Sequence, residues 1–241
     1  MNTLFLQSLH HDSVKITEKM TTAIKTRLNE LSVEELANTI THGFGLVLSV
    51  AGFAVLVILA STRGGKLLFA GCLVYGISLV VLYAASTIYH GTTSLELKQA
   101  LRILDHCCIY LLIAGSYTPF GLVILNGTLG QSLLAGIWIL ALIGILAKLV
   151  FRERFSAVSV VSYLVMGWLG VLALQPMLEA LGSGAVILAV AGGLSYSFGV
   201  IFFALHRIPH NHAIFHVFVL GGSILHFVAV IMYVVPYAAN L

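Results

Sequence analysis

Charge is what this sequence has least of: 9% of its 241 residues are Asp, Glu, Lys or Arg, against 59% hydrophobic residues and a mean hydropathy of +1.04. A soluble core of this size could not bury so much apolar side chain, which makes a bilayer the natural solvent. The net charge of +3 is small, and its Lys and Arg residues sit in short gaps between apolar runs, which argues against a nucleic-acid partner. Cysteine is scarce too. Of the three cysteines, Cys72 lies inside an apolar run, and the adjacent Cys107 and Cys108 cannot bridge each other without strain. No disulfide framework is implied. The first residues lack the basic stretch and the long apolar core of an export signal, so the first true span is expected to direct insertion. Strict alternation of apolar and polar residues is missing as well, which excludes a membrane barrel.

What is present is a run of long apolar segments, at about 43–61, 67–89, 103–125, 130–150, 157–175, 184–205 and 213–236. Each is close to the ~20 residues a helix needs to cross ~30 Å of hydrocarbon. The gaps carry turn chemistry in Arg63-Gly64-Gly65, Asn126-Gly127, Gly182-Ser183-Gly184 and Arg207-Ile208-Pro209. The abundant glycine suits close helix contact in lipid. The expected fold is therefore an all-α integral membrane protein, a bundle of seven transmembrane helices.

Ahead of the spans, Ile16, Met20, Ile24, Leu28 and Leu31 recur at helical spacing beside Lys15, Lys19, Lys25 and Arg27. Residues 1–33 read as a basic amphipathic helix on a membrane surface, and 34–241 as the membrane domain. Ser32-Val33-Glu34-Glu35 has the form of a capping box and predicts a new helix there. Ten of the twelve basic residues fall on the side of the amino terminus, and only Arg63 and Lys66 fall opposite. That asymmetry predicts a cytoplasmic amino terminus and an external carboxyl terminus.

Polar residues gather at the span ends of one face. Glu35, Asn38 and His42 lead into the first span, Ser86 and His90 end the second, Asp105 and His106 begin the third, and His212 and His216 begin the seventh. The opposite face offers only Asn126, Gln175 and Glu179. Ser86 with His90, and His212 with His216, stand at i and i+4, so each pair projects from one helical face. Three imidazoles from two helices, His90, His212 and His216, would make an N₃ site with one open position, the usual arrangement for catalytic zinc. Asp105 nearby would orient or deprotonate a water at such an ion.

Each residue also has a structural reading. Glu35 can complete the capping box, Asp105 can be a first-turn charge favoured by the helix dipole, and Ser86 can bond back to its own helix. His42, His106, His206, His210 and His226, each taken singly, read as interfacial or packing residues. Location weighs against the structural readings taken together. Ionisable groups cost ~2.5–3.5 kcal/mol each at helix centres and normally face a cavity or a partner. Four helices presenting them at one depth point to a shared site.

Three motifs carry a resemblance over residues 34–236. Glu35-Leu36-Ala37-Asn38-Thr39-Ile40-Thr41-His42, Ser86-Thr87-Ile88-Tyr89-His90 followed by Asp105, and His212-Ala213-Ile214-Phe215-His216 appear in order on seven spans. In this the chain resembles the hemolysin III branch of the progestin and adipoQ receptor family. The resemblance implies zinc held by His90, His212 and His216, with Asp105 holding a water. It also implies kinship with alkaline ceramidases, which cleave a lipid amide, and for Ser86 a part in holding the oxyanion. A bacterial cytoplasmic membrane and a lipid substrate or ligand follow from the same likeness. The expected function is thus a zinc-dependent membrane hydrolase of a lipid amide or ester, with a zinc-braced sensor of lipid state as the rival. A transporter is disfavoured, because no broken midplane helix or inverted repeat is evident. A secreted pore-former would show an export signal and a soluble form, and neither is read in this chain.

Overall fold

The first helix, α1, runs from Thr3 to Arg63 without interruption. The computed structural model describes residues 3–125 and 127–240, and within them the side chains of 3–19 and 22–32 lie outside the description. Most of the amphipathic pattern, Ile16, Ile24, Leu28 and Leu31 with its Lys and Arg residues, is therefore outside it, as is Asn126. The helix start expected at Ser32 is not observed, and α1 crosses the expected 33/34 boundary as one rod. No Gly or Pro stands between Thr3 and His42, so nothing in that stretch removes a backbone donor or favours a turn. A capping box acts only where a helix must begin.

Six further spans follow: α2 (Lys66–Gly91), α3 (Leu95–Val123), α4 (Thr128–Phe151), a broken fifth span, α7 (Ser183–Ala204) and a seventh that starts as α8 (Asn211–Ala229). With Val33–Arg63 of α1 they make seven helices long and apolar enough to cross a membrane, and there is no strand among the described residues. Neighbours in sequence pack as neighbours in space, and α1 closes the ring against α8. Spans two and three are the most buried and stand at the centre. Contacts are close enough to demand glycine: a side chain at Gly71 would come within 2.8 Å of the Pro119 backbone, and one at Gly45 would enter the ring of Tyr83.

Along α1 the residues turned inward are Asn38, His42, Gly45, Ser49, Gly52, Leu56 and Ala60, spaced by three and four. Val33, Leu36, Ile40, Phe44, Val47 and Ile58 face outward. Asn38, His42 and Ser49 thus point into the protein, while these large apolar side chains point toward lipid.

Two spans depart from regular helix. The fifth is divided into α5 (Ser156–Trp168) and α6 (Leu174–Leu181) by a 3₁₀ turn over Leu169–Ala173. The seventh passes through a π-type turn, Val230–Val234, into α9 (Val235–Ala239). The expectation of unbroken midplane helices is corrected here. Tyr117 of α3 makes the fifth-span break tolerable in hydrocarbon: its hydroxyl donates to the Gly167 carbonyl at 2.6 Å, lies 3.0 Å from that of Met166, and accepts the Gly170 N–H at 2.7 Å. The sixth span begins after a one-residue turn at Gly182, whose φ of 80° suits glycine.

The turn between α4 and α5 is pinned by charge. Glu153 pairs with Arg102 at 3.3 Å, His106 at 3.2 Å and Lys148 at 3.3 Å. Lys148 is almost fully buried, so Glu153 is the counter-charge that makes its burial tolerable. Partial burial pushes the Glu153 carboxyl up, but the charges of His106, Arg102 and Lys148 outweigh it and hold the carboxyl below its ordinary value.

Two outcomes follow. Tyr117→Phe leaves the 3₁₀ turn with unmet backbone groups and should cost about 1–3 kcal/mol, read as a lowered Tm in detergent. A carboxyl depressed on folding stabilises the protein above its unfolded pKa, and that contribution is lost as pH falls. The Tm gap between wild type and Glu153→Gln should therefore be widest at neutral pH and should shrink below about pH 4.3, the ordinary glutamate value.

Candidate metal centre

The end of the bundle that carries the α2–α3 turn gathers the histidines. His90 comes from the last turn of α2, and His212 and His216 from the first turns of α8. One ring nitrogen of each lies within 4.8 Å of the others, close enough for one ion to reach all three. His212 meets His216 edge-on with ring centres 4.5 Å apart, and His90 stands 5.0 Å from each.

Their partners set which nitrogen is free to bind. His90 Nδ1 lies 2.8 Å from a carboxylate oxygen of Glu35, which a salt bridge from Lys98 at 3.1 Å keeps in place. A carboxylate only accepts, so Nδ1 carries a proton, and in the neutral ring it is Nε2 that offers a lone pair. That Nε2 is buried with no hydrogen-bond partner among the described residues, as a ligand position would be before an ion fills it. At His216 the same result comes from a hydroxyl. Thr41 donates to the carbonyls of Ala37 and Asn38, both at 2.9 Å, so its oxygen is left to accept from His216 Nδ1 at 3.2 Å. Two of three imidazoles are thereby set in one tautomer by α1, in the manner of metal-ligating histidines. The donor set fits a borderline ion such as zinc and would also accept other first-row metals.

Ser86 lies one turn before His90 on α2, and Asp105 of α3 is its neighbour. Both are buried, Ser86 completely. They face each other between α3 and α2, and the Ser86 hydroxyl closes no hydrogen bond of full geometry among the described residues. The back-bonded reading of Ser86 does not hold, whereas Ser78 and Thr87 on the same helix do bond back, at 2.7 and 2.6 Å. Asp105 is not a first-turn charge either, since α3 starts at Leu95 and puts it nearly three turns inside. Glu35 likewise lies within α1 and reaches across to His90. The group that closes on one point contains no carboxylate, which leaves Asp105 outside the ligand set.

Asn38 and His42 are buried beside these groups, and His42 stacks on His216 at 3.4 Å. His226 accepts a packing role, with Nε2 3.0 Å from the Ala189 carbonyl. His106 belongs to the Glu153 network, and His206 and His210 are exposed. Sequence reasoning assigned no role to Thr41 or Lys98. Thr41 stood inside a quoted motif one residue before His42, a usable signal, while Lys98 is indistinguishable in sequence from the other basic residues of that face.

A family model described as haemolysin-III related matches residues 32–227, which span every group of this centre. The chain belongs to the haemolysin-III-related family. Within that family it is 46% identical over 224 residues to Hemolysin-3 of Bacillus cereus, covering 93% of this chain and 100% of that one. The Hemolysin-3 homolog of Bacillus subtilis (strain 168) is 45% identical over 202 residues, covering 84% and 95%. Monocyte to macrophage differentiation factor of Homo sapiens is 31% identical over 208 residues, covering 83% and 84%, and extends the likeness to the progestin and adipoQ receptor type. This haemolysin-III-related chain is a multi-pass bacterial membrane protein.

Replacing Glu35 by Gln removes the charge that holds His90 and should weaken zinc binding about 10- to 100-fold. A competing chelator titrated against the detergent-purified variant reads this directly.

Proposed function

We propose that this protein is a zinc-dependent hydrolase of a lipid amide or ester. The reading rests on one observation above all: α1 fixes two imidazoles by their Nδ1 atoms within a cluster of three, and one turn before His90 a buried hydroxyl, Ser86, faces a buried carboxyl, Asp105. His90, His212 and His216 would hold the ion. When bound, zinc supplies Lewis acidity to a carbonyl and makes a water acidic enough to attack near neutral pH.

The remaining work falls to this chain's own groups. Asp105 takes a proton from the attacking water and returns one to the departing amine or alcohol, as a general base and then a general acid. The Ser86 hydroxyl donates to the oxygen on which charge builds. Glu35 and Thr41 keep the rings from turning, so no ligand must reorganise during turnover. Lipids of the surrounding bilayer are the substrate as well as the solvent. The excess of basic residues on this side supports a cytoplasmic position for the site, a cytoplasmic amino terminus and an external carboxyl terminus in a bacterial inner membrane. The resemblance to alkaline ceramidases supports the amide chemistry.

A second reading has an observation of its own. Glu35–His90 and Thr41–His216 tie α1 to both α2 and α8, so an ion there would brace three helices, as a sensor of lipid state would need. The human relative's name, a differentiation factor, is compatible with that reading.

Detergent-purified protein should carry close to one zinc per chain by elemental analysis, lost in the double variant His212→Ala, His216→Ala. Against a panel of lipid amides and esters, Asp105→Asn should retain the zinc and lose about 10²- to 10⁴-fold in turnover. Zinc retained with no turnover on any lipid would leave the brace as the function.

A further inference from the structure

The ligand set leaves a group of buried polar atoms on the first span unused. Asn38 and His42 are 3% and 4% exposed and stand one turn apart on the inward face of α1. Asn38 Oδ1 and both ring nitrogens of His42 lack a hydrogen-bond partner among the described residues. Three side-chain atoms of that kind on two neighbouring turns are not ordinary packing, because each carries its full desolvation cost until something meets it.

His42 is not a fourth ligand. Its ring lies flat on that of His216, with centres 3.4 Å apart and planes 20° from parallel. An imidazole binds a metal in the plane of its ring, and two stacked rings do not share one. His42 is accordingly absent from the group that closes on a point. Tyr83 meets the His42 ring in a T-shaped contact at 5.1 Å, which holds the ring where it is. Tyr83 in turn is anchored by its hydroxyl to Ser223 at 2.9 Å, so the support is rigid.

We infer that Asn38 and His42 form a polar subsite next to the histidine triad that receives a hydroxyl group of the bound lipid. The carboxamide oxygen of Asn38 only accepts, and a neutral imidazole offers one donor and one acceptor. A hydroxyl satisfies such a pair from one atom, since it donates to Asn38 and accepts from His42. A charged group is a poor fit: the nearby carboxylate, Glu35, is already held by His90 and Lys98, and neither Asn38 nor His42 supplies a counter-charge. An ether of the same shape lacks the proton that Asn38 needs, and sites built to bond a hydroxyl discriminate strongly against such analogues. The inference rests on reading the centre as a lipid site, and it narrows the ligand to one that carries a neutral hydroxyl near its reacting carbonyl.

The test uses the full-length, zinc-loaded protein in detergent and two probes, N-(2-hydroxyethyl)lauramide and its methyl ether. Binding is measured by calorimetry, and zinc content and turnover are recorded in parallel. The wild type should bind the hydroxyl probe at least tenfold more tightly than the ether. Asn38→Leu and His42→Phe should each bring the two probes to parity with zinc content unchanged. Equal binding of both probes by the wild type, or no binding of either, overturns the inference without any variant having to fold. So does discrimination that persists in both variants, and so does loss of zinc from them, which would assign the residues to the metal instead. Discrimination with no turnover of any lipid supports the subsite and removes the hydrolase reading, so the two claims fail separately.

Discussion

Hydrocarbon offers a polar side chain no water, so every buried donor or acceptor in a membrane bundle must be met by another part of the protein or by what the protein binds. Glu35 is where that constraint bears hardest. It sits on a transmembrane helix with a carboxylate to neutralise, and it is met by His90 from α2 and Lys98 from α3. Those two contacts join three helices, and they also fix the His90 ring by its Nδ1 at 5.0 Å from the rings of His212 and His216. The pairing that makes Glu35 tolerable in the membrane is the one that prepares the metal centre.

The same economy recurs at the other irregular points. Tyr117 meets the backbone groups that the 3₁₀ turn of the fifth span sets free, and Glu153 meets Lys148, His106 and Arg102 at the neighbouring corner. Against this background of polar groups met by hydrogen bonds or ion pairs, Asn38 Oδ1, the His42 nitrogens and His90 Nε2 stand out because, among the described residues, they have neither. Buried polar atoms left unmet carry a cost that a bundle otherwise avoids, and they lie at the place where the three motifs converge. That coincidence makes them evidence about a ligand and not about packing.

Reading from sequence succeeded where the signal was local. The seven spans, the helical character throughout and the gathering of histidines at one end of the bundle are all observed. Family membership was legible from the ordered motifs and is borne out. It failed where the outcome depended on a neighbour. Ser32-Val33-Glu34-Glu35 has the letters of a helix start, but the helix does not need to begin there, and Glu35 is engaged by His90 instead. The third helix starts at Leu95, before its apolar run, because Lys98 and Arg102 find partners in Glu35 and Glu153 that a hydropathy pattern cannot count. The break in the fifth span escaped notice for a similar reason. Gly167, Gly170 and Pro176 mark where it could fall, but Tyr117, which supports it, is fifty residues earlier in the chain.

By itself the sequence determined that this chain crosses a membrane seven times and which residue types reach one end of the bundle. Both follow from the length of apolar runs and from helical spacing, quantities written along a single segment. Only the tertiary structure decided which nitrogen of His90 and of His216 is engaged by α1, which carboxylate orients a ring and which stays outside the ligand set. It likewise decided that Asn38 and His42 are buried without partners. Those are relations between side chains on different helices, and they come into being when α1 closes the ring against α8.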